Sequence, residues 1–169
     1  MKKKFNFVKE FKINKIFIKL NIRAVKKADK KFLWLLRNDS FSRQMFSTDR
    51  RIPWQEHRFW FCNSLKKKNN FYFIGLFKNK KIGFVKIEET KEKYFDVSIN
   101  IKSQYRNKGL GKSFLKECCK NFFVKNKNKE LISKIKKDNL SSKRIFEFCN
   151  FLRLKEDNKY MYFYKKFTN

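Results

Sequence analysis

The stretch "SQYRNKGLGKSFL" (residues 103–115) holds two of the four glycines in a chain of 169 residues. Gly109 and Gly111 stand between Lys108 and Lys112, after the alternating run "YFDVSINI" (94–101) and ahead of an apolar run at helical spacing. That order reads as strand, loop, helix. The first turn of a helix has backbone N–H groups without intrahelical partners, and with the helix dipole these make an anion site. Glycine lets the chain turn tightly there and approach the anion closely. Arg106, Lys108 and Lys112 add positive charge around a cradle of main-chain N–H groups that runs from Arg106 through Asn107, Gly109, Leu110 and Gly111 to Lys112. The expected ligand is a phosphate or pyrophosphate. The stretch is neither GxxxxGK[ST] nor a GxGxxG that follows an N-terminal strand, which argues against a nucleotide-hydrolysing P-loop and against a dinucleotide site.

Outward from this loop, "FYFIGLF" (71–77), "KIGFVKIE" (81–88) and "YFDVSINI" read as a three-stranded meander with a hairpin at "KNK". "KIFIKLNIRAV" (15–25), "LISKIK" (131–136) and "YMYFYKKF" (160–167) are further strands. Helices are predicted over 29–39, with Asp29 as N-cap, and over 52–67, with Pro53 at the first helical position. Two more are predicted over 112–124 and 141–151. The order β-α-α-β-β-β-α-β-α-β predicts an α/β (α+β) fold, a mixed and mostly antiparallel sheet flanked by helices. Residues 1–15 are a basic N-terminal arm or first strand, and residues 16–169 a single domain.

The composition carries 45 Lys+Arg against 15 Asp+Glu, a net charge of +30, beside 22 phenylalanines. The apolar content is ample for a folded core. The charge suits anionic partners, but it is nearly all Lys and rises with Asn, Phe and Ile, as in genomes poor in G and C. The lysines are scattered rather than gathered in one arm, which argues against nucleic acid as a partner. Cys62, Cys118, Cys119 and Cys149 form no CxxC pair and no metal spacing with the sole histidine, His57, so no metal is expected. Reduced cysteines fit a cytoplasmic protein. The N-terminal stretch is too often interrupted by charge for a signal peptide or a membrane span, and no membrane partner is expected.

The loop resembles the Q/R-x-x-G-x-G/A pyrophosphate motif of the GCN5-related N-acetyltransferases, with Arg106, Gly109 and Gly111 in its fixed positions. A second motif follows in order. Asn139, Ser142, Phe146 and Phe151 resemble the family's N-x-x-S/A-x-x-x-Y-x-x-x-G-F. The resemblance runs over roughly residues 18 to 167 and implies acetyl-coenzyme A as cosubstrate. It is held by the loop, by Asn139 and Ser142, and by a main-chain N–H near Ile101 at the thioester oxygen. Two positions depart from the pattern. The usual Tyr, an acid for the departing thiolate, is Phe146, which has no proton to give. The usual Gly is Asn150, a residue that tolerates left-handed backbone.

"LRNDSFSRQMFSTDRRIPWQEHRFWF" (36–61) is similar to a stretch of acetyltransferases that act on amino-sugar nucleotides, including those of nonulosonic acid pathways. Arg37, Asn38, Asp39, Arg43, Ile52, His57, Trp60 and Phe61 match. Similar stretches occur in transferases that act on protein N-termini. The resemblance implies transfer of an acetyl group to a primary amine, that of a UDP-linked amino-deoxy sugar, by direct attack while both substrates are bound. Arg37, Asn38, Arg43, His57 and Trp60 are the candidate acceptor-binding residues, although Asn38 and Asp39 equally suit a helix end and Trp60 a core. The candidate bases are Glu88, then Asp96, then His57. Acetylation of protein N-termini and a non-enzymatic nucleic-acid binder are the alternatives.

Overall fold

The computed structural model describes residues 6–13 and 16–168; the side chains of 11–13 and 16–18 lie outside that description. Strand β3 (Phe71–Phe77) shows how the sheet is built. Phe71 and Phe73 pack into one buried cluster and Ile74 into another, so both faces of the strand are covered. Covered faces turn a strand into a continuous apolar run. β3 pairs antiparallel with β2 (Ile16–Ala24) on one side and with β4 (Lys80–Lys91) on the other. The β3–β4 hairpin turns on Lys78 and Asn79, both with positive φ (48° and 59°), the pattern of a two-residue type I′ turn.

β1 (Asn6–Ile13) pairs with β2 at one edge. The expected arm or first strand is thus a strand over 6–13, while residues 1–5, 14 and 15 lie outside the described residues. β4 pairs antiparallel with β5 (Tyr94–Ile101), β5 parallel with β6 (Glu130–Lys136), and the sheet ends β6-β8-β7, with β8 at Tyr160–Lys166 and β7 at Leu152–Glu156. The eight-stranded sheet is antiparallel except at β5–β6, the mixed, mostly antiparallel α/β architecture that the sequence predicts.

Helix α4 (Leu110–Phe123) lies on one face, where Phe114, Leu115, Cys118 and Phe122 meet Phe73, Val85 and Val97. Each such large side chain fully buried stabilises the fold by about 1.5–3 kcal/mol. Helices α1 (Lys30–Asn38), α2 (Ser40–Met45) and α3 (Trp54–Ser64) cover the other face, where Leu33 and Phe61 pack on Ile74. Helix α5 (Leu140–Phe148) precedes β7.

Several expectations need correction. Pro53 is the N-cap of α3 rather than its first helical residue. Asp29 does not cap α1 with its side chain. Its buried carboxylate instead takes a bidentate pair from Arg23 (2.6 and 2.9 Å), Lys81 Nζ (2.7 Å) and the Lys26 N–H (2.8 Å), and so ties β2 and β4 to the start of α1. α2 and β7 were not expected. α2 is six residues long, too short for periodicity, and β7 is a five-residue edge strand with every residue exposed.

Candidate functional site

The site begins where β5 and β6 part. They pair over only three positions, Tyr94 to Asp96 against Glu130 to Ile132, although both strands run on. The Lys93 carbonyl accepts the Glu130 N–H (2.9 Å), and the Lys102 N–H donates to the Ile82 carbonyl (2.8 Å). Backbone groups alternate between the two edges of a strand. The main-chain groups of Val97, Ile99 and Ile101 therefore face the opening. A strand edge open in this way can take an extended chain of amides.

The opening holds a cavity of about 120 Å³ lined by β5, by Ser133 and Ile135 of β6, by Asn139, Ser142 and Phe146, and by Phe41, Ser42, Met45 and Phe46. At its C-terminal end Gly109 caps α4 in the left-handed conformation (φ 73°), which a β-carbon disfavours, with no side chain bonded to the helix end. The first-turn N–H groups of Leu110, Gly111 and Lys112 are thus left for an anion. Gly111 has a second role. A β-carbon there would lie 2.9 Å from Ile145 Cδ1, so its small size lets α4 approach α5. Asn139 caps α5 by accepting the Ser142 N–H (3.1 Å), so these two residues shape the wall. Asn150 has φ 58°, the left-handed turn expected of it. Phe146 is buried against Phe151, with ring centroids 4.8 Å apart.

Arg106 departs from expectation. Its Nε donates to the Ile101 carbonyl (2.8 Å), and Nη2 donates to Asp39 Oδ2 (2.6 Å) and Ser42 Oγ (2.9 Å). The guanidinium also lies over the Phe41 ring. It is turned to α2 and engaged there, and its own main-chain N–H donates to the Ser103 carbonyl (3.1 Å); Lys108, Lys112 and the N–H groups at the start of α4 remain for the anion.

A second cavity, about 340 Å³, opens on the α1–α3 side. Its lining includes Leu33, Leu36, Arg37, Ile52, His57, Trp60, Phe84 and Lys86. The two cavities share Phe46, Ser98 and Asn100, so they adjoin across the β5 strand. Sequence reading missed Ser98 and Asn100. The period of two along β5 was the available signal, since both lie on the face that Asp96 occupies. Phe46 carried no signal.

The candidate bases separate here. Glu88 lines neither cavity. Its carboxylate takes the Tyr72 hydroxyl (2.5 Å) and Lys86 Nζ (2.6 Å). Burial raises its pKa, but Lys86 and the Tyr72 bond outweigh this and hold it below the usual range, which weakens it as a base. Asp96 pairs opposite Glu88 and also lines neither cavity; burial pushes its carboxyl up. His57 does line the second cavity. Burial lowers its pKa and so favours the neutral ring, and its Nε2 sits 3.0 Å from the Lys30 carbonyl. A neutral ring that donates through Nε2 keeps its lone pair on Nδ1. The rings of Trp54, Trp60 and Phe61 surround it.

The remaining candidates divide. Arg37 and Trp60 line the second cavity. Asn38 does not: it donates to the Ile52 carbonyl (3.0 Å) and accepts the Ile52 N–H (2.8 Å), and so pins the loop before α3. Arg43 donates to the Asp49 carbonyl (3.1 Å) and stands near Arg37 rather than in the cavity. Burial, then Arg50 and Arg43, lower the Arg37 pKa. Cys118 and Cys119 are deep in the core, where burial pushes both thiols well above their usual value, and Cys149 is pushed up to about 12. None of the three offers a thiolate to either cavity. Among the described residues, no group of three or more His, Cys, Asp or Glu could hold a metal, and no helix is long and apolar enough to cross a membrane.

The fold is similar to that of a domain from Methanocaldococcus jannaschii (20% identity, TM-score 0.77, covering 89% of this chain and 99% of that one). It is also similar to spermidine N-acetyltransferase from Vibrio cholerae in complex with CoA and spermine (16%, 0.76, 86% and 94%). Ribosomal-protein-alanine N-acetyltransferase from Brucella melitensis is a third such structure (15%, 0.75, 86% and 99%). No curated protein sequence matches it. The family description "Acetyltransferase (GNAT) domain" matches residues 19–152, and the chain therefore belongs to the GNAT acetyltransferases, enzymes that carry an acetyl group from acetyl-coenzyme A to an amine.

Proposed function

We propose that the acceptor is the primary amine of a UDP-linked amino-deoxy sugar, acetylated in the cytoplasm by direct attack on the thioester. The observation that carries this reading is the arginine group at the second cavity. Arg37 lines it, with Arg43 and Arg50 close enough to depress its pKa, while Glu56, which lines the same cavity and pairs with Arg50 at 2.6 Å, acts against them. Arg37 and Arg43 donate to the main-chain carbonyls of Thr48 (3.0 Å) and Asp49 (3.1 Å) rather than to carboxylates, and such cations suit an acceptor that brings a diphosphate. Trp60 offers a flat face to a ring. A cavity of about 340 Å³ is at the small end of ligand sites, which run to about 300–1,000 Å³, so it suits the amine-bearing sugar while the rest of the nucleotide lies outside.

In this reading the cosubstrate lies along the open edge of β5, its pyrophosphate at the start of α4 beside Lys108 and Lys112. The thioester reaches the junction at Ser98 and Asn100, where holding both reactants removes most of the entropic cost of meeting. His57 Nδ1 takes a proton from the ammonium. The nitrogen then bonds to the acetyl carbon as the carbon–sulfur bond breaks. The coenzyme thiolate gains a proton from water in the cleft, since Phe146 has none, and the hydroxide left behind takes the nitrogen's second proton. The main-chain N–H of Ile101 faces the opening and can hold the thioester oxygen.

The test is a coenzyme-release assay over UDP-amino sugars, N-terminal peptides and polyamines, with an electrophoretic DNA and RNA shift alongside. Turnover of UDP-amino sugars, with KM raised severalfold or more in Arg37→Ala and little change for acetyl-coenzyme A, is the expected result. Turnover of peptides alone moves the assignment to protein acetylation. Tight nucleic-acid binding without transfer to any amine overturns the enzyme reading.

A further inference from the structure

Asp39 sits between α1 and α2, and its carboxylate joins elements that the two substrates need separately. Oδ2 accepts the Ser42 N–H (3.0 Å) as the N-cap of α2, and it accepts Arg106 Nη2 from the cosubstrate loop (2.6 Å). Ser42 Oγ, buried, lies 2.9 Å from the same oxygen and 3.0 Å from Asn100 Oδ1, and its one proton serves either. Asn100 in turn donates to the Leu36 carbonyl at the end of α1 (3.0 Å). Arg106 closes the chain by donating to the Ile101 carbonyl, the last residue of β5. A continuous run of charge-assisted and neutral hydrogen bonds therefore links the loop at 102–109, the open edge of β5, α2 and the end of α1.

The members of this run line the cavities. Ser42 and Arg106 line the first, and Asn100 lines both. α2 also supplies Phe41 and Met45 to the wall of the first cavity, and Phe46 follows directly and lines both. We propose that Asp39 is a positioning residue: through Arg106 it locks α2 to the cosubstrate loop, so that a coenzyme seated on the loop also fixes the wall shared with the acceptor cavity. Arg106 acts as the arm of this lock and not as a ligand of the pyrophosphate. The inference concerns the cosubstrate cleft and does not depend on which amine is the acceptor.

Asp39→Asn is the discriminating variant. Asparagine is as good an N-cap as aspartate, so α2 keeps its cap, while the charge that holds Arg106 is gone. Backbone hydrogen exchange is followed with and without saturating acetyl-coenzyme A, with affinity measured by calorimetry. In the native protein the coenzyme slows exchange in both the loop (102–112) and α2 (40–46). In Asp39→Asn the affinity stays within about threefold and the loop stays protected, but the protection of α2 is lost. Arg106→Gln breaks the same contact from the other end and gives the same pattern. Coenzyme-dependent protection of α2 that survives both variants refutes the lock. An affinity loss of about tenfold or more in Arg106→Gln makes Arg106 a direct ligand and refutes it as well. Absence of any coenzyme effect on α2 in the native protein also refutes it.

Discussion

Gly83 gives the sharpest test of where the two substrates meet. It lies in β4 opposite Ile101. A β-carbon placed on it would stand 2.5 Å from the Asn100 carbonyl oxygen and 2.7 Å from Ile101 Cδ1. The first neighbour is backbone and cannot rotate away. Ordinary contact begins at 3.4 Å, so Gly83→Ala forces β4 and β5 apart by about 0.9 Å at this point. Overpacking of this kind costs about 1–3 kcal/mol, a fall in Tm of about 2–4 °C per kcal/mol for a chain of this size. The same displacement moves Asn100, and with it the junction of the two cavities. A misplacement of about 1 Å at a reacting centre costs about 100-fold in rate. The expected outcome is a protein that still folds, melts several degrees lower, and turns over its amine about two orders of magnitude more slowly. Coenzyme affinity should fall much less than kcat, because the displacement shifts the edge of β5 while the pyrophosphate stays on the first turn of α4. The assay is coenzyme release under saturating substrates beside a thermal melt. If Tm falls while kcat stays native, the strain is absorbed away from Asn100, and the meeting point assigned to Ser98 and Asn100 is wrong.

Other outcomes follow from the same geometry. His57→Gln should lower kcat by about 10²–10⁴-fold. Because burial depresses the His57 pKa, the native acid limb in kcat/KM lies below about pH 6.5 and should vanish in the variant; a limb that persists unchanged belongs to another group. Phe146→Tyr should change turnover by less than tenfold, about 1.4 kcal/mol of barrier; a larger rise would mean that the native cleft lacks an efficient acid. Asp29, held at a pKa of about 2 against 3.8, contributes about 2 kcal/mol that is fully present above pH 4 and is lost as pH falls through about 2, since only the unfolded chain binds the proton between those values. Urea unfolding at several pH values should show this acid loss in the native protein, and Asp29→Asn should lack it.

What the sequence disclosed, and what it withheld, follows from how each feature is written in the chain. β3 to β5 and α4 are long segments whose apolar residues recur at a clear period, so they were legible. The anion loop was legible because Gly109 needs a left-handed backbone in a chain with few glycines. α2 and β7 were not, since a six-residue helix makes under two turns and an exposed edge strand buries nothing to pattern it. The site was half legible for a related reason. Main-chain donors belong to positions, so a motif locates them. The side chains that matter depend on contacts between residues far apart in sequence. Glu88 looked like a base until Tyr72 and Lys86 closed on it, and His57 gained that role from the carbonyl of Lys30 and from the burial that favours its neutral ring. Arg106 looked like one more cation for a phosphate, and only the approach of Asp39, 67 residues earlier, turns it to α2. A charge of +30 makes such reversals easy to miss. Among so many cations the informative groups are the few carboxylates, and buried Asp29, Glu117 and Glu130 each mark where the fold has fixed a particular lysine or arginine in place.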